Sequence, residues 1–125
     1  FRAIEPLKRT WGGLATSLNE IAWQSAVGMV LEEAAIPVRP AVRAACEFLG
    51  LDPLYVACEG RLLCICPQDA APLALASLRE HPLGREAAII GRVVEDDDRF
   101  VRLRTDFGGD RLLDWLSGEQ LPRIC

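Results

Sequence analysis

Ala88-Ile89-Ile90-Gly91-Arg92-Val93-Val94, then the acidic run Glu95-Asp96-Asp97-Asp98, then Phe100-Val101-Arg102-Leu103-Arg104: this stretch decides the fold. The first run is apolar and rich in β-branched residues over a strand-like length. The last alternates apolar and basic side chains, the period of a strand with one dry and one wet face. Upstream, Met29-Val30-Leu31-Glu32 reads as another strand, and downstream Arg111–Leu116 as a last short one.

Helical spacing fills the gaps. Gly12-Gly13 opens a helix to about Val27, with Leu14, Leu18, Ile21, Ala22 and Ser25 on one buried stripe and Gly28 as its stop. Pro37 and Pro40 hold Ile36–Pro40 extended, and a second helix runs from Ala41 to Leu49, begun by Pro40 and ended by Gly50. Leu54–Cys58 and Arg61–Cys66 flank Glu59-Gly60 and predict a β-hairpin. A third helix starts at Pro67-Gln68-Asp69 and ends before His81-Pro82-Leu83-Gly84. The predicted order is α-β-α-β-β-α-β-β-β without linker, repeat or low-complexity segment. That is one α+β domain, a mostly antiparallel sheet flanked by helices.

Composition bounds the function. The 125 residues suffice for one real core. A net charge of −4 argues against a general nucleic-acid or membrane-surface role. No apolar run nears the ~20 residues of a membrane span. The first residues have no signal-peptide form and no initiator Met, so the true start is expected upstream. Five cysteines, four of them in apolar segments, fit reduced core thiols of a cytoplasmic protein better than a disulfide framework.

Several residues could carry chemistry. Cys58, Cys64 and Cys66 suggest a metal site, but the predicted hairpin pairs Cys58 with Arg61 and Tyr55 with Cys64. That puts Cys58 on the face opposite Cys64 and Cys66, so core packing is expected instead. His81, the single histidine, is read as a surface turn residue at a helix end. The run Glu95–Asp98 is read as a solvated turn, with a divalent-cation site as the rarer alternative. Gly12-Gly13 at a helix start is a weak candidate for an anion site, where free N–H groups and the helix dipole favour negative charge. Glu59 is either an exposed turn carboxylate or a general base reached by the chain's end. That end, Leu121-Pro122-Arg123-Ile124-Cys125, places a thiol on a segment expected to be mobile, able to extend roughly 30 Å from Ser117. Cys125 is either an ordinary exposed thiol or a carried nucleophile.

From Gly12 onward the chain resembles the C-terminal half of the hydrogenase-maturation carbamoyl dehydratases, the HypE family of the aminoimidazole-ribotide synthetase superfamily. The resemblance rests on Gly12–Ala22, Glu33–Val38, Leu49–Tyr55, Ala57-Cys58-Glu59-Gly60, His81–Gly84, Ile90–Val93 and the signature Pro122-Arg123-Ile124-Cys125. It implies that Cys125 receives a carbamoyl group from a partner carbamoyltransferase. ATP, with Mg, then activates the carbamoyl oxygen, loss of water leaves a thiocyanate, and the cyanide passes to iron on a scaffold complex. It further implies that Glu59 helps deprotonate the carbamoyl nitrogen. The family carries an N-terminal domain with most ATP and metal ligands and much of the dimer interface, which has no counterpart here. The family motif Arg-Asp-Pro-Thr-Arg-Gly-Gly is replaced by Leu7-Lys8-Arg9-Thr10-Trp11-Gly12-Gly13, keeping Thr10, Gly12 and Gly13 as the remaining candidates for cofactor contact. The expectation is therefore a lead-in at 1–11 outside the family, a family domain at 12–116, and a tail at 117–125. Such a truncated relative keeps the carrier cysteine, binds no cofactor by itself and meets the maturation partners. The alternative is a non-catalytic binding or homodimerising module.

Overall fold

The structure, a computed structural model, describes residues 13–58 and 60–115. Helix α1 (Leu14–Ser25) is followed by strand β1 (Gly28–Glu32), a 3-10 turn (Glu33–Ala35) and helix α2 (Pro40–Leu49). A long irregular segment leads to helix α3 (Ala71–Glu80) and a second 3-10 turn (Pro82–Gly84). Strands β2 (Gly91–Val94), β3 (Val101–Arg104) and β4 (Asp110–Leu112) close the fold. The sheet order is β2-β1-β3-β4. β1 pairs antiparallel with β2 (Met29 opposite Val93) and parallel with β3 (Met29 opposite Val101), and β3 pairs antiparallel with β4. The fold is α+β as predicted, and its sheet is mixed: two antiparallel pairings around one parallel pairing.

The core follows the sequence pattern. Val101 and Leu103 are buried while Arg102 and Arg104 point to the wet face. Val101, Leu103, Met29 and Leu31 meet Ala15, Leu18 and Ala22 of α1, together with Ile36, Leu54 and Leu113. Each fully buried aliphatic contributes about 1.5–3 kcal/mol. On the wet side Arg104 reaches Glu32 at 3.6 Å and Asp110 at 3.4 Å, cross-strand pairs that add at most ~1 kcal/mol each.

Three expectations are corrected. The hairpin predicted over 54–66 is not formed. The Asp52 side chain accepts the Leu54 N–H (2.9 Å), the Tyr55 N–H donates to Asp52 O (3.0 Å), and Leu54 O accepts from the Ala15 N–H (3.0 Å). These groups of Leu54 and Tyr55 are committed to a turn and to α1, and the segment crosses the fold as a strap, with Leu63 and Ile65 packed against the core. The expected core packing of its thiols falls with it: Cys64 is exposed, Cys58 and Cys66 are half-buried, and only Cys46 among the described cysteines is buried. The third is the stop of α1. Ala26, not Gly28, takes the left-handed conformation (φ 54°), and the Val27 N–H closes the end on Ala22 O. Gly28 lies within β1, where any side chain would meet the Asp96 Cβ at 2.5 Å. Helix α2 does end as predicted, with Gly50 left-handed (φ 67°).

Candidate functional site

The described part of the chain ends beside the segment that leads into Glu59. β4 is three residues long and exposed, yet the residues around and after it are tied to three other parts of the fold. Arg111 meets Asp52 at 2.6 Å. The Leu113 N–H donates to Val101 O (2.8 Å). The Asn19 amide donates to Leu113 O (2.7 Å) and to Ala15 O in its own helix (2.9 Å). The Tyr55 hydroxyl donates to Asp114 O (3.1 Å). Leu113 itself is 1% exposed. Burial of the Tyr55 phenol raises its pKa above the ordinary value. The Arg111 charge nearby opposes that shift, and the carboxylates of Asp52 and Asp114 reinforce it.

The start of α1 is filled by backbone. A side chain at Gly13 would meet Leu54 O at 2.5 Å, Tyr55 C at 2.6 Å and Val56 O at 2.8 Å. Gly13 is therefore required for the crossing of the 54–56 strap, and the Ala15 N–H that an anion would use is already bonded to Leu54 O. At Gly13 itself there is no room for a phosphate group. Next to this crossing lies an open cleft of about 390 Å³ between α2, the first 3-10 turn and Arg111. Its floor includes Ile36, Cys46 and Leu54, and Glu33, Arg43 and Glu47 stand along it.

Of the residues expected to serve catalysis or cofactor contact, Thr10, Gly12, Glu59 and Cys125 lie outside the described residues, and Gly13 lies within them. His81 is an exposed turn residue, its Nδ1 accepting from the Leu83 N–H (3.2 Å). Within the acidic run, Asp96 turns inward. Its Oδ1 accepts the Asp98 N–H (3.0 Å), and its Oδ2 meets the Arg102 guanidinium at 2.8 Å as an ion pair, off the line of a hydrogen bond. Among the described residues no three metal-binding side chains come together. Asn19 is a buried polar residue that the sequence analysis did not single out. A polar residue on the same face as Ala15, Leu18 and Ala22 is the signal for it, because a buried amide must find partners.

The family model for the AIR synthase related protein C-terminal domain matches residues 9–104, and the chain belongs to that family. Within it, the similarity is to hydrogenase maturation proteins. The chain is 67% identical over 116 residues to the carbamoyl dehydratase HypE of Azotobacter vinelandii, covering 93% of this chain and 34% of that protein. It is 68% identical over the same length to the HypE of Cupriavidus necator, covering 93% and 33%. A crystal structure of hydrogenase maturation protein HypE superposes with a TM-score of 0.87 at 53% identity, over 95% of this chain and 39% of that one. A chain of a HypE–HypF complex superposes with a TM-score of 0.80 at 37% identity, over 86% and 35%. The chain thus spans about a third of the length of the curated relatives it matches. No described helix is long and apolar enough to cross a membrane.

Proposed function

We propose that this chain is the cysteine-bearing part of a cytoplasmic carbamoyl dehydratase system in [NiFe]-hydrogenase maturation. Cys125 accepts a carbamoyl group as a thiocarbamate, and Glu59 draws a proton from its nitrogen as water is lost to give the thiocyanate. ATP, with Mg, supplies activation of the carbamoyl oxygen in the whole family. The chain spans about a third of the length of those relatives, and whether it engages ATP is read by the test below. The observation that carries the proposal is the identity to carbamoyl dehydratases over nearly all of the chain, joined to the Ala57-Cys58-Glu59-Gly60 and Pro122-Arg123-Ile124-Cys125 matches in the sequence. A carbamoyltransferase and an iron-bearing scaffold are its partners. A HypE–HypF complex among the similar structures supports the first.

The test is intact mass after incubation with the carbamoyltransferase, carbamoyl phosphate and ATP, with Cys125→Ala as control. A carbamoyl adduct absent from the control is expected. No adduct, with the transferase shown active on a full-length relative, removes the carrier role. Self-association without catalysis is the second reading, and Phe48 (90%), Leu83 (91%) and Phe107 (99%) are large apolar side chains left exposed that a second copy could cover. In that case the chain sediments as a dimer and stays unmodified.

A further inference from the structure

We infer that the open edge of β2 is where this chain pairs with a second copy of itself, the two β2 strands running antiparallel about a two-fold axis at Gly91. The inference deepens the self-association reading above, on which it rests, by naming the surface.

β2 ends the sheet on one side. The Met29 N–H donates to Phe100 O (2.9 Å), so β1 turns the backbone groups of its odd residues toward β3 and those of its even residues toward β2. The Glu32 N–H accordingly donates to Ile90 O (2.9 Å). With Val30 opposite Arg92 and Gly28 opposite Val94, the backbone groups of Ile90, Arg92 and Val94 face β1. Those of Ile89, Gly91 and Val93 then face outward, and no described residue bonds them. Such an edge is a template for another strand unless proline, lysine, a bulge or a covering element blunts it. β2 has no proline or lysine and one charged residue, Arg92. α1 lies over β1 and β3 and leaves Val93, on the same face as Met29, 41% exposed. Ile89 is 53% exposed.

The register selects a second copy as the occupant. About an axis at Gly91, Ile89 of each copy lies opposite Val93 of the other, a β-branched pair formed twice. Gly91 meets Gly91 at the centre, and Arg92 faces Ile90. An axis moved one residue to Arg92 would set two arginines against each other. Antiparallel pairing also brings the start of each β2 to the end of the other. Before the strand stand Arg85, exposed, and Arg79, whose Nε donates to Ala87 O, while Glu86 is engaged by Arg39. After it come Glu95, Asp97 and Asp98, all exposed, with Asp96 taken by Arg102 and Arg99 laid over Trp23. A basic start therefore meets an acidic end on both sides of the axis. A strand pairing this short buries less than a standard interface, so the dimer is weak, with a Kd on the order of 10–100 µM.

Sedimentation equilibrium of the full chain in reducing buffer, at concentrations spanning that Kd, reads the association. Ile89→Lys/Val93→Lys sets like charges opposite each other twice and is expected to weaken the dimer about tenfold or more. Ile89→Lys/Val93→Glu sets opposite charges there and should recover most of that loss, which a general destabilisation would not do. In the parent, amide exchange of Gly91 and Val93 slows as concentration rises, while that of Arg92, already bonded to β1, does not change. A monomeric parent overturns the inference together with the self-association reading. A dimer indifferent to the first variant, or one without added protection at Gly91 and Val93, overturns the inference alone and puts the contact on another surface. Should either variant fail to fold, the exchange measurement on the parent decides by itself.

Discussion

Gly13→Ala separates two roles for the glycine at the start of α1. The added methyl would lie 2.5–2.8 Å from Leu54 O, Tyr55 C and Val56 O. All three are backbone atoms, so no side chain can swing aside and the strap must move. Overpacking of this kind costs about 1–3 kcal/mol, and displacing the strap also weakens the Ala15 N–H to Leu54 O bond, worth about 1 kcal/mol. Alanine recovers about 0.4–1 kcal/mol through a less flexible unfolded chain. The backbone at residue 13 (φ −70°, ψ −178°) adds no strain of its own. The net loss is about 1–3 kcal/mol, a fall in Tm of roughly 4–12 °C for a chain of this length. Thermal unfolding followed by far-UV circular dichroism, without phosphate or nucleotide, measures it. A variant that melts at the parent temperature refutes the packing role. A glycine kept only for an approaching phosphate would give that parental melt and lose only stabilisation by added anion.

Other substitutions probe other parts of the fold. Leu103→Ala, at a position with no exposed surface, should cost about 2–5 kcal/mol in urea unfolding with the m-value unchanged. Asp96→Ala removes the turn bond to the Asp98 N–H and the Arg102 ion pair together, and a loss of about 1–2 kcal/mol is expected, shrinking little in high salt because Asp96 is mostly buried. Tyr55 is the only tyrosine, so tyrosinate absorbance reports it alone. Its midpoint should lie above 10 in the folded protein. Because the folded form holds the phenol proton more tightly, its contribution to stability is full below pH 10 and is lost as pH rises through the folded value. In Tyr55→Phe that part of the alkaline loss disappears, and its persistence there would assign it to another group.

The parts of the fold legible in the sequence were those set by a local period. The alternation Val101-Arg102-Leu103-Arg104 placed a strand and its buried face correctly, and Pro40 and Gly50 marked both ends of α2. Leu54–Cys66 misled because apolar, β-rich composition does not say where backbone N–H and C=O groups go. Here those of Leu54 and the Tyr55 N–H are taken by Asp52 and by the first turn of α1, neither of which has a hairpin signal. The ties at residues 111–114 were hidden for the same reason: each joins positions 12 to 94 residues apart. Asn19 on the apolar face of α1 was the one visible hint. Of the candidate site, the motifs around Glu59 and Cys125 were legible as a family resemblance. The packing need for Gly13 was not, since it depends on a distant strap crossing a helix end.

The central position of β1 also sets a schedule for folding during synthesis. Met29, Val30 and Leu31 are buried against partners that emerge roughly sixty to seventy residues later, in β2 and β3. At about 5–20 residues per second, the ribosome leaves this apolar strand without a neighbour for several seconds. α1 can form meanwhile, but the surface it is meant to cover does not yet exist. Pairings this distant slow folding and prolong exposure to aggregation. The nascent chain therefore passes through a window in which a chaperone has reason to hold the segment around Met29, and that window closes only once Val101–Leu103 has left the exit tunnel.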